Sequence, residues 1–318
     1  MSMEETIKRF GEQFDWMPEV QNPEKLGTYN NFLVCGMGGS HLGAWLITTY
    51  GNVSIAIHRD YGLPFVGPDT LVILSSYSGD TEETMDAARV ALERGLPVAA
   101  ISTGGKLLEW ARKYKLPYIQ IPDHGLEPRM AIGYSMLGIA KVMEHPALEK
   151  DIRIAGKSIN PMAGKAEGKR IGAVLADKIP VIYASSANTP LAYIWKIKFN
   201  ETAKIPAFHN GFPDLCHNEM TGFDTYTLTR AISKQLHVVI LDDPSDYLRM
   251  QKRMHVASDM LTEHGIPVEH VALEGGGFVK AFNAALLADW ITLDLAERYK
   301  VPNPETPMVA EFKRRMSV

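Results

Sequence analysis

The chain has 318 residues, 46% of them apolar and 22% charged, a composition that excludes a disordered chain and at this length predicts two globular domains. The 33 basic and 37 acidic side chains give a formal charge of −4, so the composition provides no electrostatic footprint for nucleic acid or an anionic membrane. Only two cysteines occur, Cys35 and Cys216, and the N-terminus carries acids where a signal peptide would be basic and apolar. These features predict a cytoplasmic protein without a disulfide framework.

Short apolar runs alternate with helical patterns along the chain, which predicts α/β units built on parallel sheets. In the first half, five apolar runs are predicted as strands: Phe32–Cys35, Val53–Ile57, Thr70–Leu74, Val98–Ile101 and Tyr118–Ile121. Apolar residues at helical spacing predict helices over Thr81–Arg94 and Met130–Met143. Gly95 follows the first of these helices and supplies a stop signal.

The second half repeats this alternation of strands and helices. Three runs are predicted as strands: Val181–Ala184, Val238–Leu241 and Val268–Leu273. A helix between the last two strands is predicted from the spacing of four apolar residues: Tyr247, Met250, Met254 and Leu261. The repeated order predicts two similar α/β domains, 1–150 and 151–318. The stretch 145–160, with its proline and glycine, has the composition of a linker between them.

A glycine-rich loop follows the first predicted strand. Its residues, Gly36-Met37-Gly38-Gly39-Ser40, allow the backbone to approach a ligand closely, and the next helix N-terminus can bind an anion. His41 stands where the dinucleotide-binding fingerprint requires its third glycine, although Asp60 lies about 20 residues further on, where such a protein binds ribose. A dinucleotide site therefore remains an alternative reading of this loop.

A hydroxyl-rich loop follows the strand Thr70–Leu74. Ser76, Ser78 and Thr81 bring three hydroxyl groups to a helix start, where they can bind a phosphate together with backbone N–H groups. The alternative is simple helix capping, with Asp80 or Ser78 as the N-cap and Glu83 completing a capping box. Loops after successive strands meet at the carboxyl edge of a sheet, where α/β proteins bind ligands. The two loops together predict a phosphate-binding crevice.

These two loops resemble the phosphosugar-binding loops of the sugar isomerase (SIS) fold. The resemblance extends to four later segments: Glu127-Pro128-Arg129-Met130-Ala131, Lys198-Phe199-Asn200-Glu201-Thr202-Ala203-Lys204, Phe212-Pro213-Asp214-Leu215-Cys216-His217-Asn218-Glu219, and Thr306 with Glu311-Phe312-Lys313. As a whole, the chain resembles the bifunctional phosphoglucose/phosphomannose isomerase family, a branch of the phosphoglucose isomerase superfamily with two SIS domains. The resemblance implies an α/β fold of two SIS-type αβα sandwich domains, each with a mostly parallel sheet. The domain 1–150 would carry the phosphate loops, and 151–318 the catalytic Glu, His and Lys segments.

The resemblance also implies an activity and the residues that perform it. The expected reaction is reversible aldose–ketose isomerisation of glucose 6-phosphate and mannose 6-phosphate with fructose 6-phosphate, through an enediolate and without a metal or other cofactor. The implied catalytic residues are Glu201 as the base, Arg129 beside the enediolate, and His217 with Lys313 for ring opening. The implied substrate-binding residues are Gly39, Ser40, Ser76, Ser78, Thr81 and Thr306. The small Thr306 would leave room for both C2 epimers.

The superfamily further implies a homodimer with shared active sites. His217 would enter the pocket of the neighbouring subunit, while Glu201, Arg129 and the loop Ser76–Thr81 would belong to the home chain. The segment Phe208–Cys216 contains glycine, proline and apolar residues, and it is predicted to be a loop suited to reaching across an interface.

Read without the resemblance, the same residues have ordinary structural roles. Glu201 would be a helix-end glutamate paired with Lys198 or Lys204, and Lys313 a cation at a helix C-terminus. Thr306 would precede a first-turn proline at a helix start. Four potential metal ligands lack paired zinc-ligand spacing: His209, Cys216, His217 and Glu219. Two other functions remain open, a regulatory SIS protein that binds a phosphosugar without turnover and an amino-sugar phosphate isomerase.

Overall fold

The computed structural model describes residues 1–224, 226–301 and 306–316. Its strands are β1 Asn31–Cys35, β2 Ala56–His58, β3 Thr70–Ser75, β4 Val98–Ser102, β5 Tyr118–Gln120, β6 Ile179–Ser185, β7 Phe208–Phe212, β8 Leu236–Asp242 and β9 Val268–Ala272. Its α-helices are α1 Met3–Lys8, α2 Leu42–Tyr50, α3 Glu82–Glu93, α4 Gly105–Lys113, α5 Ile132–Val142, α6 Pro146–Ser158, α7 Lys165–Leu175, α8 Thr189–Lys198, α9 Arg230–Ser233, α10 Leu248–Glu263, α11 Gly277–Arg298 and α12 Pro307–Met316. Among these described helices, none is long and apolar enough to cross a membrane.

The chain divides into two compact units. Unit 1 is formed mainly by Lys8–Asn160, with the short segment Gly276–Phe282 added to it. Unit 2 is formed by Ser2–Ile7, Pro161–Gly275 and the chain from Asn283 onward. The sequence-based limits of 1–150 and 151–318 remain a prediction about domains that fold independently.

Unit 1 contains a five-stranded sheet in the order β2-β1-β3-β4-β5, and every neighbouring pair is parallel. Every residue of the central strand β3 is buried, as expected for a strand covered on both faces. Alanines of α3 and α4 pack against Val72 and Leu74 on one face. On the other face α5 contacts both α2 and the sheet, where Gly138 packs against Ile101. Unit 1 is therefore an αβα sandwich.

Unit 2 contains a four-stranded sheet in the order β7-β6-β8-β9, again with parallel neighbours only. Met254 and Leu261 of α10 pack against Val181 and Ile240 of the two central strands. Helix α8 packs against β6 and β7. The α/β fold class with parallel sheets, predicted from the sequence, is confirmed.

Two sequence-based assignments were wrong. The segment Phe208–Cys216 is not a free loop, because its first five residues form strand β7, which pairs in parallel with β6 along Val181–Ser185. The stretch 145–160 is not an open linker, because most of it is helix α6, whose Leu148 and Ile152 are buried. Pro146 occupies the first turn of that helix, where the missing N–H group has no consequence.

Candidate functional site

The hydroxyl-rich loop of unit 1 lies between β3 and α3. The Oγ of Ser76 is 2.8 Å from the Oγ1 of Thr81, and it accepts a hydrogen bond from the backbone N–H of Gly79 at 3.1 Å. Ser78 is exposed at the rim of the loop. Two of the three predicted hydroxyl groups are thus brought together at the start of α3, and the third lies beside them.

The structure does not support simple capping of α3. Thr81 occupies the N-cap position, and no side chain among the described residues caps the helix there. The Oδ1 of Asp80 accepts a hydrogen bond from the backbone N–H of Lys106 at 3.1 Å, in the first turn of α4. The capping-box interpretation was therefore wrong, because the carboxylate of Asp80 serves the neighbouring helix. The polar groups at the start of α3 are therefore hydroxyl groups and backbone groups, without a capping carboxylate among the described residues.

The glycine-rich loop is bonded directly to the hydroxyl-rich loop. The Oγ of Ser40 accepts a hydrogen bond from the backbone N–H of Tyr77 at 2.9 Å, and the Oγ of Ser75 donates to the carbonyl of Ser40 at 2.9 Å. The carbonyl of Tyr77 in turn accepts from Thr103, whose hydroxyl lies 2.7 Å away. These bonds fix two loops that follow neighbouring strands into one polar cradle, as the sequence predicted.

Arg129 lies against the same cradle. A Cβ atom built on Gly39 would lie 2.5 Å from the carbonyl carbon of Pro128 and 2.6 Å from the backbone nitrogen of Arg129, so only glycine allows this approach. The side chain of Arg129 is 1% exposed, and its Nη1 lies 3.2 Å from the Oε2 of Glu127. Unit 1 thus places a buried guanidinium group next to the glycine-rich loop.

Sequence reasoning missed Gln13, which supports this arginine segment. Gln13 is 3% exposed, and its amide nitrogen donates to the carbonyl of Met130 at 2.8 Å. Its Oε1 accepts from the backbone N–H of Gly133 at 3.0 Å. The side chain therefore satisfies backbone groups on both sides of the junction between Arg129 and α5. A glutamine 117 residues before Met130 in the chain gives no local signal of this role.

In unit 2, Glu201 lies on a π-helical turn, Phe199–Ala203, that continues α8. The turn ends at Lys204, which has a left-handed backbone with φ 57° and donates its N–H to the carbonyl of Phe199. The ammonium group of Lys204 lies 2.5 Å from the carbonyl oxygen of Glu201, and the amide of Asn200 donates to the carbonyl of Ile205 at 3.0 Å. Glu201 itself is half-buried. Single-turn π-helices are frequent at functional sites.

His217 lies in unit 2 on a short 3-10 turn that follows β7. Its side chain is exposed, whereas Glu219, two residues later, contacts the sheet. The carboxylate of Glu219 accepts a hydrogen bond from the hydroxyl of Tyr183 at 2.5 Å and another from the amide of Asn210. Burial and this carboxylate raise the pKa of Tyr183 above its usual range, so the phenol remains a donor. Glu219 thus fastens the His217 segment to β6 and β7, a role that the sequence alone did not reveal.

Thr306 and Lys313 lie at the C-terminal end of the described chain. Thr306 is half-buried and directly precedes Pro307, the first residue of α12. Lys313 is exposed in the last turns of the same helix. Within the described ranges, no group of three or more His, Cys, Asp or Glu side chains is arranged to hold a metal ion.

Comparisons with known proteins identify the class to which this architecture belongs. Residues 164–316 match the family model described as the bacterial phospho-glucose isomerase C-terminal SIS domain. The crystal structure of a hypothetical protein from Thermus thermophilus matches with a TM-score of 0.73 over 99% of this chain and 87% of that chain. Since its sequence identity is only 16%, that likeness concerns the fold alone. Fold and loops together define an SIS-type α/β protein.

Two curated relatives identify the family to which the chain belongs. The bifunctional phosphoglucose/phosphomannose isomerase of Caldicellulosiruptor bescii is 34% identical over 297 residues, which cover 87% of this chain and 86% of the relative. The enzyme of the same name from Aquifex aeolicus is 31% identical over 92% of this chain and 91% of its own. The chain belongs to the bifunctional phosphoglucose/phosphomannose isomerase family. The family resemblance predicted from the sequence is confirmed.

Proposed function

We propose that this chain interconverts glucose 6-phosphate and mannose 6-phosphate with fructose 6-phosphate by reversible aldose–ketose isomerisation. The observation that carries the proposal is membership of a family whose curated members are named for both isomerase activities. The polar cradle of unit 1 supports it, because paired loops at the carboxyl edge of a parallel sheet suit a phosphosugar.

The cradle is the proposed phosphate site. The hydroxyl groups of Ser76, Ser78 and Thr81 would bind the phosphate oxygens, and the start of α3 would add backbone N–H groups and its dipole. Gly39 and Ser40 would hold the sugar end of the ligand close to the backbone. The bond between Asp80 and Lys106 supports this assignment, because it directs the acidic side chain toward α4.

Proton transfer between C1 and C2 is assigned to Glu201. The carboxylate would remove the C2 proton of the aldose, leaving an enediolate, and would return the proton to C1 to give the ketose. Arg129 would stabilise the negative charge that develops on the enediolate. A buried guanidinium group suits that role, since a preorganised charge in a water-poor site is often the largest single contribution to catalysis.

Ring opening is assigned to His217 with help from Lys313. A histidine can protonate the ring oxygen and accept the proton of the anomeric hydroxyl near neutral pH. Thr306 would line the sugar near C2 and C3, where a small side chain allows the rotation that presents either epimer. No metal or cofactor is assigned a step in this scheme.

The proposed assembly is a homodimer in which His217 is supplied to the active site by the neighbouring subunit. Large apolar side chains exposed in unit 2 are available for a contact between copies: Leu228, Leu248 and Phe312 are 91%, 78% and 63% exposed. The proposed compartment is the cytoplasm, which the free thiols of Cys35 and Cys216 support.

A coupled assay on fructose 6-phosphate with EDTA present tests the activity. We expect turnover to both aldose phosphates by the wild type, and a loss of about 100- to 10,000-fold in kcat for Glu201→Gln, because a general base typically contributes that factor. Binding of fructose 6-phosphate, measured by calorimetry, should stay within a few-fold, since a base acts on the transition state.

Glu263→Gln is the matched control, because Glu263 is an exposed glutamate at a helix end in the same unit. Binding without turnover by the wild type would contradict the isomerase and favour a regulatory phosphosugar-binding protein. Near-normal turnover by Glu201→Gln would remove Glu201 from the base role.

A further inference from the structure

A fully buried ion pair lies directly before the turn that carries Glu201. Lys198 is the last residue of α8, and its Nζ lies 2.5 Å from the Oδ1 of Asp289 on α11. Both side chains are only 2% exposed. The indole of Trp195, one turn earlier on α8, donates to the carbonyl of Ala284 at 3.0 Å. The C-terminal end of α8 is thus fastened to α11 by two directional contacts.

Stability is a poor explanation for this ion pair. Removing two charges from water is expensive, and apolar residues of similar volume often replace a buried ion pair without loss of stability. Lys198 gains something from the negative end of the α8 dipole, but the same benefit is available to an exposed lysine. A buried ion pair does offer geometry, because only one rotation and one axial position of the helix bring the two charges together.

A fixed rotation and axial position of α8 matter at its C-terminal end, where the α-helix changes to a π-helical turn. The turn Phe199–Ala203 begins at the residue after Lys198, and Phe199 is fully buried against Trp195. Beyond Glu201 the turn is fixed by Lys204, which bonds to the carbonyl of Glu201. On the near side of the turn, the ion pair between Lys198 and Asp289 is a charged anchor, and the indole bond of Trp195 lies one turn before it. The position of Lys198 therefore contributes to the rotation of the turn, together with the buried residues Phe199, Thr202 and Ala203.

We propose that Lys198 and Asp289 are positioning residues, whose buried ion pair sets the π-helical turn so that the Glu201 carboxylate reaches the proton it transfers. The inference rests on the proposed function, since it concerns the placement of the proposed base. In this proposal the pair acts through the backbone of the turn.

The test replaces both charges with apolar side chains of similar size, Lys198→Met together with Asp289→Leu. We expect a folded protein whose Tm equals or exceeds that of the wild type. We expect kcat for fructose 6-phosphate to fall about 10- to 100-fold, because small displacements of a catalytic group have effects of that size. KM should stay within about threefold, and the acid limb of the kcat profile should keep its pH midpoint.

Thr292→Val is the matched control. Thr292 is fully buried on α11, and its hydroxyl donates to the carbonyl of Ala288 at 2.8 Å and to that of Asp289 at 3.3 Å, so the variant perturbs the same helix beside Asp289 while both charged side chains stay in place. It should change Tm while leaving kcat unchanged. If the apolar double variant does not fold, Lys198→Met together with Asp289→Asn carries the test with the same expectations for kcat and KM, because it also removes both charges and keeps the shape of the Asp289 side chain.

Three results would overturn the positioning role. One is a folded variant with wild-type kcat. Another is a shifted acid limb with full kcat at higher pH, which would indicate an effect of charge on the carboxylate. The third is a loss of kcat that Thr292→Val reproduces in proportion to stability. Glu201→Gln, measured alongside, separates this inference from the proposed function: if that variant is inactive while the apolar pair is fully active, only the positioning role fails. If Glu201→Gln remains active, the base assignment fails first.

Discussion

His41 illustrates how the burial of a single side chain makes the stability of the fold depend on pH. It follows Ser40 at the end of the glycine-rich loop and is fully buried, and its ring centroid lies 5.9 Å from that of Trp45, with the ring planes tilted by 31°. Burial, helped by the positive charge of Arg59, lowers the pKa of His41 from 6.5 to about 4. The folded protein therefore keeps this imidazole neutral at a pH where the unfolded chain protonates it.

This shift predicts a loss of stability in mild acid. Between pH 6.5 and about 4 the unfolded chain binds a proton at His41 that the folded chain does not, so falling pH draws the equilibrium toward unfolding. Above pH 6.5 the titration of His41 does not lower the free energy of unfolding. As the pH falls toward 4, this free energy decreases by about 1.4 kcal/mol per pH unit, and the total loss approaches about 3 kcal/mol. Urea unfolding at several pH values should show a shallower decline for His41→Gln than for the wild type. The control is His124→Gln, at an exposed histidine of unit 1, and equal slopes in wild type and His41→Gln would contradict the assignment.

Residue types at the site were predictable where their chemistry is local. Three hydroxyl groups at a helix start indicate an anion site, and the structure brings Ser76 and Thr81 together there. The partner of Asp80 was not predictable, because the N–H group of Lys106 reaches it only through the tertiary fold. The roles of Gln13 and Glu219 were not predictable for the same reason, because their hydrogen-bond partners lie far away in sequence.

At the scale of elements, buried strands were the most predictable. An apolar run bounded by turn residues is sufficient when both faces of a strand are covered, and β3 and β8 were predicted to within two residues of their ends. The edge strand β2 was placed three residues too early, because only its ladder with Leu33–Cys35 of β1 determines where it begins. Strand β7 was missed, since its sequence FHNGF lacks β-branched residues and is held in the sheet by pairing with β6.

The segment after β7 is held on the sheet by the buried side chains of Leu215 and Phe223 and by the carboxylate of Glu219. Residues 214–223 consist of two 3-10 turns, and their contacts with the sheet include the bonds from Tyr183 and Asn210 to Glu219. Tyr183 is fully buried, so its phenol must donate to a partner or lose free energy. The exposed His217 therefore lies two residues before Glu219, which is bonded to the sheet.

Tyr183→Phe is expected to loosen this segment while the fold persists, because the ring remains and only the hydroxyl is lost. A hydrogen bond to a charged group typically contributes about 1.5–3 kcal/mol, so hydrogen exchange in 214–223 should quicken accordingly. If His217 opens the sugar ring, kcat should fall about tenfold with KM nearly unchanged, because the misplaced histidine acts on the transition state.

Tyr299→Phe serves as the control for this experiment. It also removes a phenol bond in unit 2, that to the backbone N–H of Asp177 at 2.6 Å, but at a place remote from 214–223 in the sequence. Wild-type exchange and wild-type kcat in Tyr183→Phe would show that the bond to Glu219 does not hold the segment in place.

At the scale of the whole molecule, the candidate residues are divided between the two units. The polar cradle and Arg129 belong to unit 1, whereas Glu201, His217 and Lys313 belong to unit 2. The proposed reaction uses all of them, so in the proposed homodimer the open question is which copy of the chain supplies each residue. Strand β7 places the chain before His217 firmly in its own sheet, and any reach toward a neighbour is left to the residues after Phe212.

Subunit mixing tests whether the proposed homodimer shares its active sites. Glu201→Gln and His217→Ala should each be inactive as homodimers, and their subunits are then exchanged under mild dissociating conditions. If His217 is supplied by the neighbour, each mixed dimer contains one site with both lesions and one site with an intact Glu201 and an intact His217. Because statistical mixing gives about half mixed dimers, and half of their sites are intact, the mixture should recover about a quarter of wild-type activity. If every site is built from a single chain, each site carries one lesion, and a mixture with demonstrated heterodimers will remain inactive.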